Sequence, residues 1–266
     1  MPERAEWVPP NIDVEAPSAA RIYDFLLGGG HNFAIDRSVG QRVLEVQPQG
    51  RQIATSNRAF LNRAVEYMMS QGIDQFLDLG SGIPTAGNVH EVAQRTNPDA
   101  RVVYVDYDPV AVAHSRLLLR DNPNATVIDA DLREPGNVLD SPVVREVLDF
   151  TRPIGLLTVA IFHFVADERN PAAILARYRD ELPSGSLVAL SHLTADQMPA
   201  EMAGVVEAMR NSRDPMYFRS FAEVSALFAG LDLVEPGIVS APAWRNPDWD
   251  DLAVQEGVYV GVGRKP

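Results

Sequence analysis

A glycine-rich turn and a downstream aspartate have the residue types and spacing that suit ligand chemistry. The segment Asp78-Leu79-Gly80-Ser81-Gly82 closes an apolar run, and a segment with helical periodicity follows it. Glycines permit a sharp turn and a close approach to a ligand, and a helix that begins there offers unpaired N–H groups and a positive dipole. Asp106 closes the next apolar run, 24 residues after Gly82. This is about the spacing at which a carboxylate meets ribose hydroxyls, so the pattern predicts a nucleoside site.

The details of this turn separate two classes of nucleoside cofactor. A nicotinamide dinucleotide site has the pattern G-x-G-x-x-G, whereas here residues 83–86 contain no glycine and the next one is Gly87. Pro84 in the turn, and Asp78 two residues before the first glycine, do not suit a pyrophosphate. They do suit a ligand with an amino acid end. The sequence therefore favours S-adenosylmethionine over NAD.

Two histidines are candidates for a general base. His163 and His192 lie at the ends of two further apolar runs, and an imidazole has the right pKa range to accept a proton from an oxygen or nitrogen acceptor. The alternative for both is a packing and hydrogen-bonding role. Their spacing relative to Asp167 and Asp196 matches no known metal site, and we expect none.

These residues need a parallel sheet to bring them together. Short apolar runs alternate with segments of helical period, which is typical of a doubly wound α/β domain whose sheet is covered on both faces. The predicted parallel strands are 75–80, 101–108, 125–132, 154–165 and 186–193. Residues 196–210 and 220–229 look helical. Residues 231–239 and 256–264 then predict two strands that form an antiparallel pair.

Helices precede the first strand. Residues 19–27 predict a short helix that ends at Gly28, and Asp36 suits the N-cap of a second helix. A third helix is predicted over about residues 57–70. We expect the glycines at 28–30 to act as a hinge, so that this segment closes over the site as a lid. His31 then becomes a candidate catalytic histidine on a par with His163.

Composition limits the classes of function. The chain has 266 residues, 46% of them apolar, no cysteine and a formal charge of −13. A packed core is expected, thiolate chemistry is excluded, and the negative charge disfavours a nucleic-acid partner. The N-terminus lacks a secretory signal pattern, and the longest nearly apolar stretch, 154–166, is too short to span a bilayer. We expect a cytoplasmic protein with no membrane partner, as a monomer or a homodimer.

The motifs resemble those of a known family over nearly the whole chain. DLGSG followed by VDYD is similar to motifs I and II of class I S-adenosylmethionine-dependent methyltransferases. The chain also resembles an actinobacterial family of S-adenosyl methyltransferases, formerly a domain of unknown function. The resemblance lies in the strings ARIYDFLLGGGHNFAID, NRAFLNRAV, QFLDLGSGIPTAGNVHEVAQ, RVVYVDYDPVAVAH, DADLREP and HFVAD. The resemblance implies a Rossmann-like, seven-stranded sheet with an antiparallel last strand. Residues 1–72 would form an extension and helical cap, and residues 73–266 the methyltransferase core of a single structural domain.

The resemblance also implies roles for individual residues. The implied cofactor-binding residues lie at the ends of three strands: Asp78, Gly80, Ser81, Gly82, Asp106, Tyr107 and Asp131. Asp78, Gly80 and Gly82 would line the methionine and ribose side, and Asp106 would accept hydrogen bonds from both ribose hydroxyls. Tyr107 would flank the adenine. Asp131 would accept a hydrogen bond from the adenine amino group, and Asp129 is the competing residue for that role. Residues 160–164 would lie under the sulfonium.

Arginines before the first strand complete the candidates. Arg58 and Arg63 lie on the predicted third helix, and either is long enough to reach the cofactor carboxylate or an acidic substrate. A solvated helix face is the alternative for both. We take Arg58 as the cofactor-binding candidate.

The resulting prediction is methyl transfer from S-adenosylmethionine to an unidentified small-molecule acceptor. Such an in-line displacement gains most of its rate from alignment, exclusion of water and electrostatics, so it does not require an obvious catalytic dyad. The first alternative is a non-catalytic regulator that binds S-adenosylmethionine or S-adenosylhomocysteine. The second is a nicotinamide-dependent oxidoreductase, which the missing third glycine disfavours. The sequence does not identify the acceptor.

Overall fold

A mostly parallel sheet with helices on both faces forms the body of the molecule. The computed structural model describes residues 13–84, 87–248 and 257–266. The strands are β1 (Gln75–Leu79), β2 (Arg101–Asp106), β3 (Ala125–Asp129), β4 (Gly155–Val159), β5 (Leu187–Leu193), β6 (Asp232–Leu233), β7 (Val239–Ser240) and β8 (Val258–Arg264).

Helices connect most of these strands, and three precede them. The α-helices are α1 (Ala19–Leu26), α2 (Ala34–Val46), α3 (Gly50–Ser70), α4 (Val89–Thr96), α5 (Pro109–Leu118), α6 (Pro135–Leu139), α7 (Pro142–Val147), α8 (Pro171–Glu181), α9 (Pro199–Met209) and α10 (Phe221–Leu227). Short 3₁₀ turns cover Phe162–Phe164, Asp167–Arg169 and Ala241–Ala243.

The strand order is β3-β2-β1-β4-β5-β8-β6, with β7 also paired to β8. Strands β1 to β5 pair in parallel, and β8 runs antiparallel to β5. The order reverses between β1 and β4, which is where open α/β sheets bind ligands. This confirms the doubly wound, Rossmann-like fold and its antiparallel last strand.

The described sheet has eight strands where seven were predicted. Residues 231–239 form two short strands, β6 and β7, which both pair with β8. Pro236 lies between them and has no N–H to donate to a ladder. The backbone turns there, since the N–H of Gly237 donates to the carbonyl of Val234 at 2.8 Å. The eight strands therefore fill seven positions across the sheet.

Several predicted boundaries were wrong. The second and third strands end at Asp106 and Asp129, before the predicted residues 108 and 132. The fourth strand ends at Val159, because Ala160 is left-handed (φ 57°) and a 3₁₀ turn follows. Helix α3 begins at Gly50 rather than near residue 57. Asp36 lies inside the first turn of α2, where its carboxylate accepts from the backbone N–H of Phe33 at 2.8 Å, instead of being the N-cap.

The apolar core has a layer on each face of the sheet and a third cluster outside them. Alternate strand residues divide between the faces, as Phe76 and Leu77 do in β1. Helices α3 and α4 cover one face, and α6, α7, α8 and α10 the other. The third cluster joins α1, α2 and α9, which we call the helical cap, through Ile22, Val39, Val43, Met202, Val205 and Met209.

No helix in the described part of the chain has the length and apolar character needed to cross a membrane.

Candidate active site

A cleft lies between the carboxyl ends of β1 to β5 and the helical cap. Its walls include the strand-end residues predicted from the motifs and apolar residues of α1, α2 and α9. The cofactor-site candidates that line it are Arg58, Asp78, Gly80, Ser81, Gly82, Asp106, Tyr107 and Asp131. The fold thus brings every predicted cofactor residue to one cavity.

The turn after β1 depends on its glycines in two different ways. Gly80 and Gly82 have φ values of 70° and 67°, which an L side chain rarely adopts. A Cβ on Gly80 would lie 2.3 Å from Cγ1 of Ile161, whereas a Cβ on Gly82 would meet nothing within 4 Å. Gly82 therefore borders open space in the cleft, and the hydroxyl of Ser81 beside it is buried with no partner in the described residues.

Asp106 connects the two motifs. One carboxylate oxygen accepts from the N–H of Gly82 at 2.7 Å, and the other accepts from the N–H of Asp108 at 2.8 Å. Burial nevertheless raises the pKa of Asp106 to about 6, although these backbone donors oppose the shift. The carboxylate fixes the glycine turn and still lines the cleft.

Asp78 and Arg58 form the electrostatic pair at the end of β1. Burial raises the pKa of Asp78 to about 7; the charge of Arg58 opposes this shift, and that of Asp106 adds to it. Arg58 donates from Nη2 to Oδ1 of Asn88 at 3.2 Å, and its Nε is buried with no partner in the described part of the chain. The buried Asp78 carboxylate and the guanidinium beside it, whose Nε has no described partner, suit the ammonium and carboxylate of an amino acid.

At the other end of the motif region, Tyr107, Asp131 and Arg133 lie together. Arg133 pairs with Asp131 at 2.6 Å, and its guanidinium lies 5.3 Å from the centre of the Tyr107 ring. Burial alone would raise the pKa of Asp131, but the hydrogen bonds from Arg133 hold it below its usual range. Asp129 is exposed and outside the lining of the cleft. Of the two competing aspartates, the cleft thus contains Asp131.

The turn after β4 carries His163 into the wall of the cleft. The residue is 2% exposed, and its Nδ1 is buried with no partner among the described residues. Burial, followed by the neighbouring His192 and Arg219, lowers the pKa of His163 well below its ordinary value. The imidazole is uncharged at neutral pH, which suits a hydrogen-bond acceptor.

His192 has a different role, because both of its ring nitrogens are engaged. Nδ1 lies 2.7 Å from the carbonyl of Leu193, and Nε2 lies 2.8 Å from Nη1 of Arg219. Arg219 also donates to the carbonyls of Phe162 and Val165 and to the carboxylate of Asp167. His192 and Arg219 therefore brace the turn that holds His163, and His192 does not line the cleft.

His31 is placed away from the cleft. Its ring packs against that of His114 on α5, with 3.9 Å between the ring centres, and it does not line the cavity. The carboxylate of Asp24 explains this position, since it accepts from the backbone N–H of His31 and the side-chain amide of Asn32. Of the three candidate histidines, His163, His192 and His31, only His163 lines the cleft.

Sequence reasoning missed the polar residues that join the cap to the sheet. Asp214, in the segment after α9, accepts from the N–H of Ala19 at 2.8 Å and from the hydroxyl of Tyr107. Arg21 is fully buried, pairs with Asp36 at 2.8 Å and lies 3.7 Å from Asp108. The Asp108-Pro109 pair, a helix N-cap signature, was a usable signal for Asp108. No local pattern marks Asp214.

Sheet topology, glycine turn and strand-end carboxylates together define a class I methyltransferase, and comparisons with known proteins agree. The model of a family described as S-adenosyl methyltransferase matches residues 5–266. The chain therefore belongs to this S-adenosyl methyltransferase family and is an S-adenosylmethionine-dependent methyltransferase. The resemblance and the cofactor predicted from the motifs are confirmed.

Solved structures give the same result. A DUF574 family protein from Streptomyces avermitilis is 39% identical, with a TM-score of 0.92 over 96% of this chain and 99% of that chain. A proposed methyltransferase from Thermobifida fusca is 38% identical, with a TM-score of 0.92 over 98% and 99%. Human N-acetylserotonin methyltransferase, solved with S-adenosylmethionine, shares the fold at 15% identity and a TM-score of 0.50, over 91% of this chain and 62% of its own. No curated protein matches the chain.

Proposed function

We propose that this protein methylates a small molecule, with the cofactor seated over β1, β2 and β3. S-Adenosylmethionine supplies an activated methyl group on its sulfonium sulfur. The observation that carries the proposal is a single cleft that joins three polar groups to an apolar space under the cap. They are the buried carboxylate of Asp78, and the Ser81 hydroxyl and Arg58 Nε, which have no partner among the described residues.

The residue roles follow from the position of each group in the cleft. Asp78 and Arg58 would hold the ammonium and carboxylate of the methionine part. Asp106 would accept from the ribose hydroxyls, with the backbone of Ser81 and Gly82 close to the cofactor. Tyr107 would lie beside the adenine, and Asp131 would accept from its amino group.

The chain's own contribution to the reaction is alignment and exclusion of water. The cap closes the cleft above the strand ends, and the turn after β4, held by Arg219, forms the wall next to β1. An in-line displacement is accelerated mainly by such fixed geometry in a dry site. His163 lies on that wall and is the group placed to accept a proton from an acceptor.

Transfer of a labelled methyl group to a small-metabolite extract tests the proposal. We expect a labelled product with the wild-type protein and none with Asp106→Ala, while Asp129→Ala, an exposed aspartate of the same region, matches wild type. Binding of S-adenosylhomocysteine without a labelled product from any extract would contradict methyl transfer and support the cofactor-binding regulator.

A further inference from the structure

The cleft extends beyond the cofactor motifs into a second compartment. The motif residues stand at the ends of β1, β2 and β3, and β4 and β5 lie on the other side of β1 in the sheet order. The space above β4 and β5 is roofed by the cap. We call it the acceptor compartment, and its cap walls are Ile22, Leu26, Val43, Met202, Val205 and Met209.

The cap presents no charge to this compartment. Among the lining residues that the structure describes, every one that lies within α1, α2 or α9 is uncharged. The charged groups of the cleft come instead from the strand ends, from Arg58 and Arg133, and from residues 213–214. Because an ion loses its hydration in such a space without gaining a partner, the compartment favours an uncharged ligand. The two methionines adapt readily to a flat apolar surface.

Among the polar side chains that line the cleft is a buried histidine on the turn after β4. His163 lines the cleft at 2% exposure, and its Nδ1 makes no hydrogen bond within the described residues. A buried nitrogen left unsatisfied costs free energy, which a ligand donor at the right position recovers. An uncharged imidazole can accept from a hydroxyl but offers no charge to attract an ammonium group.

We propose that the methyl acceptor is an uncharged, mainly apolar molecule that lies in the acceptor compartment and presents a hydroxyl group to His163. The acceptor oxygen forms a bond to the methyl carbon as the carbon–sulfur bond breaks. The bonding electrons stay on sulfur, and S-adenosylhomocysteine is released. The hydroxyl proton passes to His163 and then to water. This inference rests on the proposed function and adds the chemical class of the acceptor.

Probe binding to the protein saturated with S-adenosylhomocysteine tests the acceptor class. Phenol, naphthol and phenanthrol are compared by calorimetry with benzoate, naphthoate and benzylamine. We expect affinity to rise with the size of the neutral ring system and to be at least about tenfold lower for each charged probe than for its neutral counterpart. Equal or tighter binding of the charged probes, or no binding of any neutral probe, overturns the inference.

Neighbouring valines on α9 provide a matched pair of variants. Val205 is buried and lines the compartment, whereas Val206 is 37% exposed. Val205→Thr keeps the side-chain shape but replaces a methyl group with a hydroxyl group, so it should weaken naphthol binding several-fold with S-adenosylhomocysteine affinity unchanged. Val206→Thr should change neither. Equal naphthol affinity in the two variants places the probe elsewhere and overturns the inference.

The hydroxyl contact has its own readout. Wild type should bind naphthol about tenfold more tightly than naphthalene, and His163→Phe should remove that preference while it retains naphthalene binding. A preference that survives in His163→Phe overturns the role of His163. Loss of S-adenosylhomocysteine binding in the wild type would instead show that the proposed function itself has failed.

Discussion

Asp78 and Asp106 are both buried at the ends of adjacent strands, and burial disfavours the ionised form of each carboxylate. Their pKa values rise to about 7 and about 6, in each case chiefly through burial. A cationic ligand group beside Asp78 relieves that penalty when it binds, since it stabilises the ionised carboxylate. These carboxylates therefore suit a ligand that brings an ammonium group.

This predicts a pH-dependent cofactor affinity. The ionised carboxylates bind the ligand, so affinity for S-adenosylhomocysteine should rise from about pH 5.5 to about pH 8 and then level off. Asp78→Asn should weaken binding and flatten the rise. The control is Asp74→Asn, which removes a half-buried partner of Arg152 outside the cleft. Calorimetry across this pH range is the measurement, and an affinity that falls as the pH increases contradicts the assignment.

The sequence could place residues together where they belong to one recognisable pattern of strands and turns. The spacing of Gly82 and Asp106 predicted that both belong to one site, because two successive parallel strands end side by side. Asp214 meets Tyr107 from more than a hundred residues away, so no local pattern contains it. Arg21 likewise meets its partners, Asp36 and Asp108, outside its own helix.

At the scale of elements, two arginines, Arg219 (buried) and Arg63 (half-buried), hold irregular segments in place. Arg219 donates to the carbonyls of Phe162 and Val165 in the cleft wall. Arg63 donates to the carbonyls of Ala241 and Trp244, outside the cleft. They therefore form a natural pair for separating a role in the site from a role in stability.

Arg219→Lys and Arg63→Lys should each lower the free energy of unfolding by roughly 2 kcal/mol, because a lysine cannot replace the several bonds of a guanidinium. Only Arg219→Lys should reduce methyl transfer at saturating cofactor. Denaturant unfolding and single-turnover transfer measure the two effects. An equal loss of transfer in both variants would show that the turn after β4 has no special part in the site.

Helices and strands whose apolar residues recur at a regular spacing were predictable from the sequence. The residues at which these elements begin and end were less predictable. Every predicted crossover helix is present, because its apolar face packs on the sheet. The predicted fourth strand ran through Ala160 and His163, since an apolar run carries no sign of a left-handed residue. Helix α3 started earlier than residue 57, because Ile53 and Ala54 of its first turns are buried too.

The whole molecule couples the cap to the cofactor side. Asp214 joins the start of α1 to Tyr107, and α9 packs against α1 and α2. Cofactor contacts at the strand ends should therefore stabilise the cap as well.

Hydrogen exchange with and without S-adenosylhomocysteine tests this coupling. We expect slower exchange in residues 19–26 and 210–220, as well as in the turns after β1 and β2. Helix α8, on the opposite face of the sheet, is the internal control and should not change. Protection confined to the strand ends would contradict a cap that responds to the cofactor.

Some expectations for the whole chain stay predictions. They are the division into an N-terminal segment (residues 1–72) and a methyltransferase core (residues 73–266), and the hinge at residues 28–30. The cytoplasmic location, the lack of a nucleic-acid partner and the state of assembly also stay predictions. The net charge of −13 supports the prediction about nucleic acid.

Calorimetric titration of S-adenosylhomocysteine into wild type and Asp106→Ala tests the central claim most directly, with thermal melting to show that the variant is folded. The account predicts micromolar binding to wild type and none to the variant. Binding to Asp106→Ala as tight as to wild type, or binding of NADH in place of S-adenosylhomocysteine, would contradict it.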